Sequence, residues 1–168
     1  YYNEEDNLNK MLSIINGESR ISLRIVDWFV TNYAKQKFTV YNIEKNNTNI
    51  RFKVYFDYKL KLKAYSKKRF DPFCRWERIT IPYKDDKVIQ TTIGQLNFFK
   101  WAIENDVINY IENNYSNIEN DMNNRNSSSK KNKDSYTNNK TRKKREELSV
   151  SAVKSIKKEE VEIIVKFD

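Results

Sequence analysis

Apolar residues recur at three- and four-residue spacing through residues 91–115. Leu96, Phe99, Ile103, Val107 and Tyr110 form one stripe, and Phe98, Ala102, Ile108, Ile111 and Tyr115 form an adjoining one. The spacing predicts a long central helix whose broad apolar face lies on a sheet or among helices. Thr92 followed three residues later by Gln95 predicts a capping box at its start. Glu104, Asp106, Glu112 and Glu119 in its middle and later half oppose the helix dipole, so packing must hold it. Phe98, Phe99 and Trp101 are read as core, because each large ring has much area to bury. The expected contacts of Leu96, Phe99, Ile103 and Val107 are Trp28 and alternate residues of 52–64.

Upstream, Leu8, Met11, Leu12 and Ile15 predict a first helix over about residues 4–15, closed by Gly17. Residues 21–25 alternate like a strand. The longer window of Ile21, Ile25, Trp28, Phe29 and Tyr33 predicts a second helix to Lys35, with Ser19 as cap. Phe38–Tyr41 then reads as a short strand and Asn46–Asn49 as a turn or loop.

The strongest period-two signal follows. Phe52, Val54, Phe56, Tyr58, Leu60, Leu62 and Ala64 alternate with Lys53, Tyr55, Asp57, Lys59, Lys61, Lys63 and Tyr65. That is an apolar face and a mostly basic face of one strand. Such a strand is long, so a bend or bulge near Asp57–Lys59 is expected, or a helix taking over there. Ser66–Phe73 reads as a basic loop. Arg78–Ile81 and Val88–Thr91 read as a hairpin turning at Tyr83–Lys87. From Met122 to Arg145 Asn, Ser, Lys and Arg dominate, which predicts disorder. Leu148, Val150 and Ala152, then Val161, Ile163, Val165 and Phe167, alternate around a Ser155–Glu160 loop, as in a closing hairpin.

The predicted fold is therefore α+β: two N-terminal helices, a largely antiparallel sheet, one long central helix and a C-terminal β-hairpin after a disordered insert. The predicted organisation is an α+β domain over 1–121, a disordered basic linker over 122–147, and a hairpin over 148–168 that completes the same domain.

Composition narrows the chemistry. The 168 residues allow one domain with a real core. With a single cysteine, Cys74, and no histidine, an intrachain disulfide, a Cys/His zinc site and any histidine-based triad or general base are excluded. Cys74 itself reads as a small core residue. Gly17 and Gly94 are the only glycines, so no glycine-rich phosphate loop exists. No apolar run approaches the roughly 20 residues of a membrane span. Glu4, Glu5 and Asp6 do not suit a signal peptide, and the initial Tyr1 suggests a fragment or processed product. Abundant Lys and Asn with scarce Gly, Pro and Ala are what an AT-rich genome encodes, so part of the basic bias is compositional.

The formal charge of +9 is unevenly spread: net zero over residues 1–50, +8 over 51–100, −5 over 101–121 and +6 over 122–168. A negatively charged partner would meet two places. One is the folded stretch bearing Lys53, Tyr55, Lys59, Lys61, Lys63, Tyr65, Lys67, Lys68, Arg69, Arg75 and Arg78. The other is the run Lys140, Arg142, Lys143, Lys144 and Arg145, which resembles a nuclear-localisation or nucleic-acid patch. Cations interleaved with rings are what nucleic-acid surfaces need, since cations neutralise phosphates and rings stack on bases. A solvated basic face is the plainer alternative. Asp57, Asp71 and Glu77 lack the spacing of a metal site.

Three blocks, Arg24–Tyr33, Leu62–Arg75 and Thr91–Ile103, resemble a small-protein family of giant viruses, the nucleocytoplasmic large DNA viruses. They span most of residues 20–112 and leave out the low-complexity linker. The resemblance carries no catalytic or binding residues. It implies a setting in infected-cell cytoplasm or virion, and a role in replication, transcription or the particle. The expected function is a non-enzymatic nucleic-acid-binding accessory or packaging protein, with DNA or RNA as partner, without cofactor, catalytic residue or metal, and away from membranes. The alternatives are a structural or minor capsid protein that binds acidic viral proteins, and a divergent metal-dependent nuclease.

Overall fold

A computed structural model describes residues 1–2, 5–83, 87–131 and 157–160. The expected α+β class holds, with more helix than the sequence suggests. Two small antiparallel sheets are set among the helices.

Helix α1 spans Glu5–Ile15 and buries Met11, Leu12, Ile14 and Ile15. Gly17, at φ 75, lets the chain turn back where other residues are strained. Helix α2 (Leu23–Trp28) widens into a π-helical stretch at Phe29–Tyr33 and ends in α3 (Ala34–Gln36). The N-cap is Ser22 rather than Ser19: its Oγ accepts from the Ile25 N–H, while the Ser19 hydroxyl takes the Ile21 N–H one turn earlier.

Strands β1 (Val40–Lys45) and β2 (Thr48–Lys53) form a hairpin with Lys45 opposite Thr48. Its two-residue loop is Asn46–Asn47, both at positive φ, as a tight hairpin turn requires. The second sheet pairs β3 (Arg78–Tyr83) with β4 (Lys87–Thr92), as expected. Strand β5 (Lys157–Glu160) lies antiparallel on the free edge of β4. The sequence pattern put a hairpin loop at those four residues. The expected strands around Leu148–Ala152 and Val161–Phe167 lie outside the described residues.

The long alternating stretch departs most from expectation. Only its first residues belong to β2, and α4 runs from Val54 to Tyr65. A helix does take over, but before Asp57. On a helix, alternate residues fall about 200° apart, so a period-two apolar set splits between opposite faces. Val54 and Tyr58 face the core, whereas Phe56 and Leu60 face solvent. Ser66, at φ 67 and ψ 160, breaks the chain between α4 and the short α5 (Lys67–Phe70), which replaces part of the expected loop. Cys74 is half-buried beyond α5, not in the core.

The predicted central helix is also interrupted. It is realised as α6 (Ile93–Glu104), α7 (Val107–Asn113) and α8 (Tyr115–Lys131). Asn105 and Asp106 break it, Asp106 at φ 58. The Thr92 hydroxyl accepts from the Gln95 N–H as a cap should. The Gln95 amide oxygen accepts from the Thr91 hydroxyl. Phe98, Phe99, Trp101 and Ala102 are buried, as are Val107, Ile108 and Ile111, while Leu96 and Ile103 are only half-buried. Residues 122–131, expected to be disordered, are helical. Ile118 and Met122 bury one turn apart, and the Trp28 indole N–H donates to Asp121 at 3.0 Å. Arg125 in turn holds Asp121 at 2.9 Å.

Packing converges on the first turns of α6. An ideal Cβ at Gly94 would lie 2.6 Å from the Asp71 carbonyl oxygen, so the backbone after α5 crosses α6 where no side chain fits. Asn97 fastens the same crossing by donating to the Arg69 carbonyl at 2.8 Å. Gly94→Ala is expected to cost roughly 1–3 kcal/mol through overpacking. Phe98→Ala should cost about 3–5 kcal/mol and Leu96→Ala clearly less. Urea unfolding of the three variants checks this order, and an equal loss at Leu96 would contradict it.

Candidate nucleic-acid interface

The basic residues expected on one strand face are divided by α4 among different surfaces. Lys59 and Lys63, one turn apart, lie on the exposed stripe with Phe56 and Leu60. Lys61 points elsewhere, with Asp57 one turn before it and Tyr65 one turn after. Lys53 closes β2, and Tyr55 is half-buried beneath the Lys35 ammonium, 5.7 Å from its ring centroid. The face that would have joined Lys53, Lys59, Lys61, Lys63, Tyr55 and Tyr65 does not exist, because it required an extended backbone.

A different grouping replaces it. Lys61 and Tyr65 share a polar pocket of about 260 Å³ with Lys45 from β1 and Lys100 from α6. Its floor includes Phe70, Trp101, Asn97 and Asn105. Both carboxylates in its lining are engaged. Asp57 accepts the Trp101 indole N–H at 2.6 Å, and Glu104 lies 3.8 Å from the Lys100 ammonium. The Lys45 ammonium donates to Asn105 Oδ1 at 2.6 Å, and Asn105 in turn donates to the Trp101 carbonyl. Three ammonium groups from three elements thus line one concavity with two occupied carboxylates, a net positive lining suited to an anion. Lys45 and Lys100 escaped sequence reasoning because they lie far apart along the chain. Neither belongs to a local run of cations.

Beside the pocket, the Asn97–Arg69 bond ties in the cations of α5. Lys68 sits 4.3 Å over the ring of the exposed Trp76. Arg69 pairs with Glu77 at 3.3 Å, and Lys67 approaches Asp71 at 4.0 Å. Tyr65 stacks on Phe70, with ring centroids 5.8 Å apart. Arg75 and Arg78 are exposed on the segment that leads into and begins β3. Lys140, Arg142, Lys143, Lys144 and Arg145 lie outside the described residues.

The acids considered as a metal site have separate partners: Trp101 for Asp57, the Phe73 N–H and Lys67 for Asp71, and Arg69 for Glu77. Among the described residues no group of three acidic or cysteine side chains is placed to hold a metal. No helix among them is long and apolar enough to cross a membrane.

Against that geometry the family relationship is direct. The chain belongs to the Family of unknown function (DUF7197), whose model matches residues 1–166, including the stretch after Met122 that the three blocks left out. An uncharacterized protein of Acanthamoeba polyphaga mimivirus is 53% identical over 117 residues, covering 67% of this chain and 45% of the relative. The chain thus spans less than half the length of the curated relative it matches. The giant-virus resemblance read from the sequence is borne out. No solved structure matches.

One acid behind α5 carries a pH signature. Burial raises the Asp27 carboxyl to about 7, the nearby Asp71 charge adds to the rise, and Lys67 opposes it. The unfolded carboxyl ionises near pH ~4 while the folded one keeps its proton to about 7. Ionisation within this window therefore favours unfolding, and stability falls as pH rises through it. Asp27→Asn should flatten that decline in urea-unfolding measurements taken across the window. A variant with the wild-type slope would show that the proton resides elsewhere.

Proposed function

We propose that this member of a giant-virus family is a non-enzymatic nucleic-acid-binding accessory protein, acting in genome handling or packaging. The observation that carries the reading is the pocket in which Lys45, Lys61 and Lys100 converge beside Tyr65. Its lining sets three ammonium groups against two carboxylates, with Glu104 offset by Lys100 and Asp57 hydrogen-bonded to the Trp101 indole, so a positive excess remains to meet an incoming phosphate. A backbone phosphate seated there would gain charge from three directions while releasing counterions. The neighbouring Lys68, Arg69 and Trp76 extend the track with cations and an indole face, the combination that holds single strands without reading sequence. The positive excess of residues 51–100 supplies the longer-range attraction that brings such a polymer to the surface. The run Lys140–Arg145 would add diffuse charge. Infected-cell cytoplasm or virion, with the nucleus as a further compartment, is the setting this role requires.

The test compares two double variants in binding to a single-stranded oligonucleotide over a range of salt. Lys61→Gln with Lys100→Gln should lower the slope of log affinity against log salt by about 0.7, the contribution of the one single-strand phosphate seated in the pocket. Lys10→Gln with Lys37→Gln removes equal charge from exposed positions that do not line the pocket and should leave the slope nearly intact. Equal effects from both doubles would reduce the binding to diffuse attraction by a basic protein and overturn the pocket as its site. Magnesium-dependent cleavage of the oligonucleotide would overturn the non-enzymatic reading.

A further inference from the structure

The outward stripe of α4 is apolar where a surface helix is normally polar. Phe56 is 61% exposed and Leu60 65% exposed, and neighbouring Phe38 reaches 78%. Phe38 follows α3 at φ 49, a left-handed position where glycine is the ordinary choice and a bulky ring is disfavoured. The backbone there is held by the Lys37 N–H on the Tyr33 carbonyl and the Thr39 N–H on the Ala34 carbonyl. A strained backbone thus holds a large ring in water.

Phe38 and Phe56 line an open apolar cavity of about 420 Å³ that has Lys35 and Lys53 at its edge. Phe56 and Leu60 line a second, of about 520 Å³, edged by Lys59 and Lys63. Phe56 borders both, so the two adjoin along one apolar face with a basic rim, a groove that the Phe56 ring punctuates. Lys53, Lys59 and Lys63 have no ion-pair partner among the described residues. The one carboxylate on α4, Asp57, is turned to Trp101.

We propose that this groove docks an acidic amphipathic helix of a partner protein. The partner's apolar ridge would lie on Phe38, Phe56 and Leu60, and its carboxylates would meet the flanking lysines. From Lys53 to Lys63 the rim runs about 15 Å along the helix axis, the length of roughly ten helical residues. A second copy of this chain fits poorly, since a two-fold contact would bring the same lysines against one another. Phe38 and Phe56 could also stack on bases, but Val40, Leu60 and Leu62 in the lining offer no stacking plane, which favours a leucine-rich helix over single-stranded nucleic acid. The proposal stands on a different face from the Lys45, Lys61 and Lys100 pocket and does not depend on it.

The probe is a synthetic helical peptide with leucines at i, i+3, i+4 and i+7 flanked by Glu and Asp, titrated into the full chain by fluorescence anisotropy. Its controls are a scrambled peptide of the same composition and a version with every acid changed to Lys. The acidic amphipathic peptide should bind at least ten times more tightly than either control. Phe56→Ser with Leu60→Ser should weaken it at least tenfold while circular dichroism and the melting curve stay as in the wild type, because both side chains are exposed. If that variant loses its fold, Lys59→Glu with Lys63→Glu replaces it and should reject the acidic peptide in favour of the basic one. Equal binding of the scrambled peptide, no binding at all, or unchanged affinity in the variants would overturn the proposal. So would displacement of the peptide by oligo-dT from the wild type, or a wild-type dimer that the Phe56→Ser, Leu60→Ser variant dissolves.

Discussion

The hydrogen bond from the Trp101 indole to Asp57, 2.6 Å long, sets the roll of α4 against the rest of the molecule. The helix has apolar side chains on both sides, so hydrophobic burial alone does not choose which side turns inward. Trp101 does: it sits among Phe52, Tyr58, Phe70 and Phe98, with ring centroids 5.7–6.2 Å away. With Asp57 pinned to the indole and Tyr58 inside this ring cluster, Val54 goes in and Phe56 and Leu60 go out. A buried indole N–H without a partner would be costly, which makes the bond a strong constraint on rotation.

Both candidate surfaces follow from that roll. Lys61 and Tyr65 swing toward β1 and α6, where Lys45 and Lys100 meet them. Lys59 and Lys63 swing the other way, beside the exposed rings. One short helix thus separates its cations into a polar pocket and the rim of an apolar groove. Both proposals, an anion-binding pocket and a helix-docking groove, rest on this division.

The same aromatic network joins the first hairpin to α6 and α7. Tyr41 of β1 stacks on Tyr110 of α7 at 4.8 Å and donates its hydroxyl to the Asn105 carbonyl at 2.8 Å. Burial pushes the Tyr41 hydroxyl well above its ordinary pKa, with Asp106 and Tyr110 adding to the rise, so it remains a donor. Asn105, where the long helical pattern breaks, is therefore a junction: it receives Tyr41 and Lys45 and returns a bond to Trp101. The break serves the pocket by placing a buried amide at its floor.

Sequence periodicity by itself determined the first helix, the hairpin of residues 78–92, the burial of Phe98, Phe99 and Trp101, and the α+β class. In each, the local pattern agrees with the final environment. Composition by itself excluded histidine chemistry and a glycine-rich phosphate loop within this chain. Tertiary structure decided the rest. Residues 54–65 alternate as a strand does, yet they form a helix that buries Tyr58 against Phe70 and Trp101, since side-chain burial outweighs a modest local preference. Residues 123–131 are polar throughout, yet the helix runs on through them from a turn anchored by buried Met122 and the Trp28–Asp121 bond. Lys45, Lys61 and Lys100 are separated by 16 and 39 positions, and no local pattern joins them. Only folding against a common aromatic floor brings their charges into one pocket.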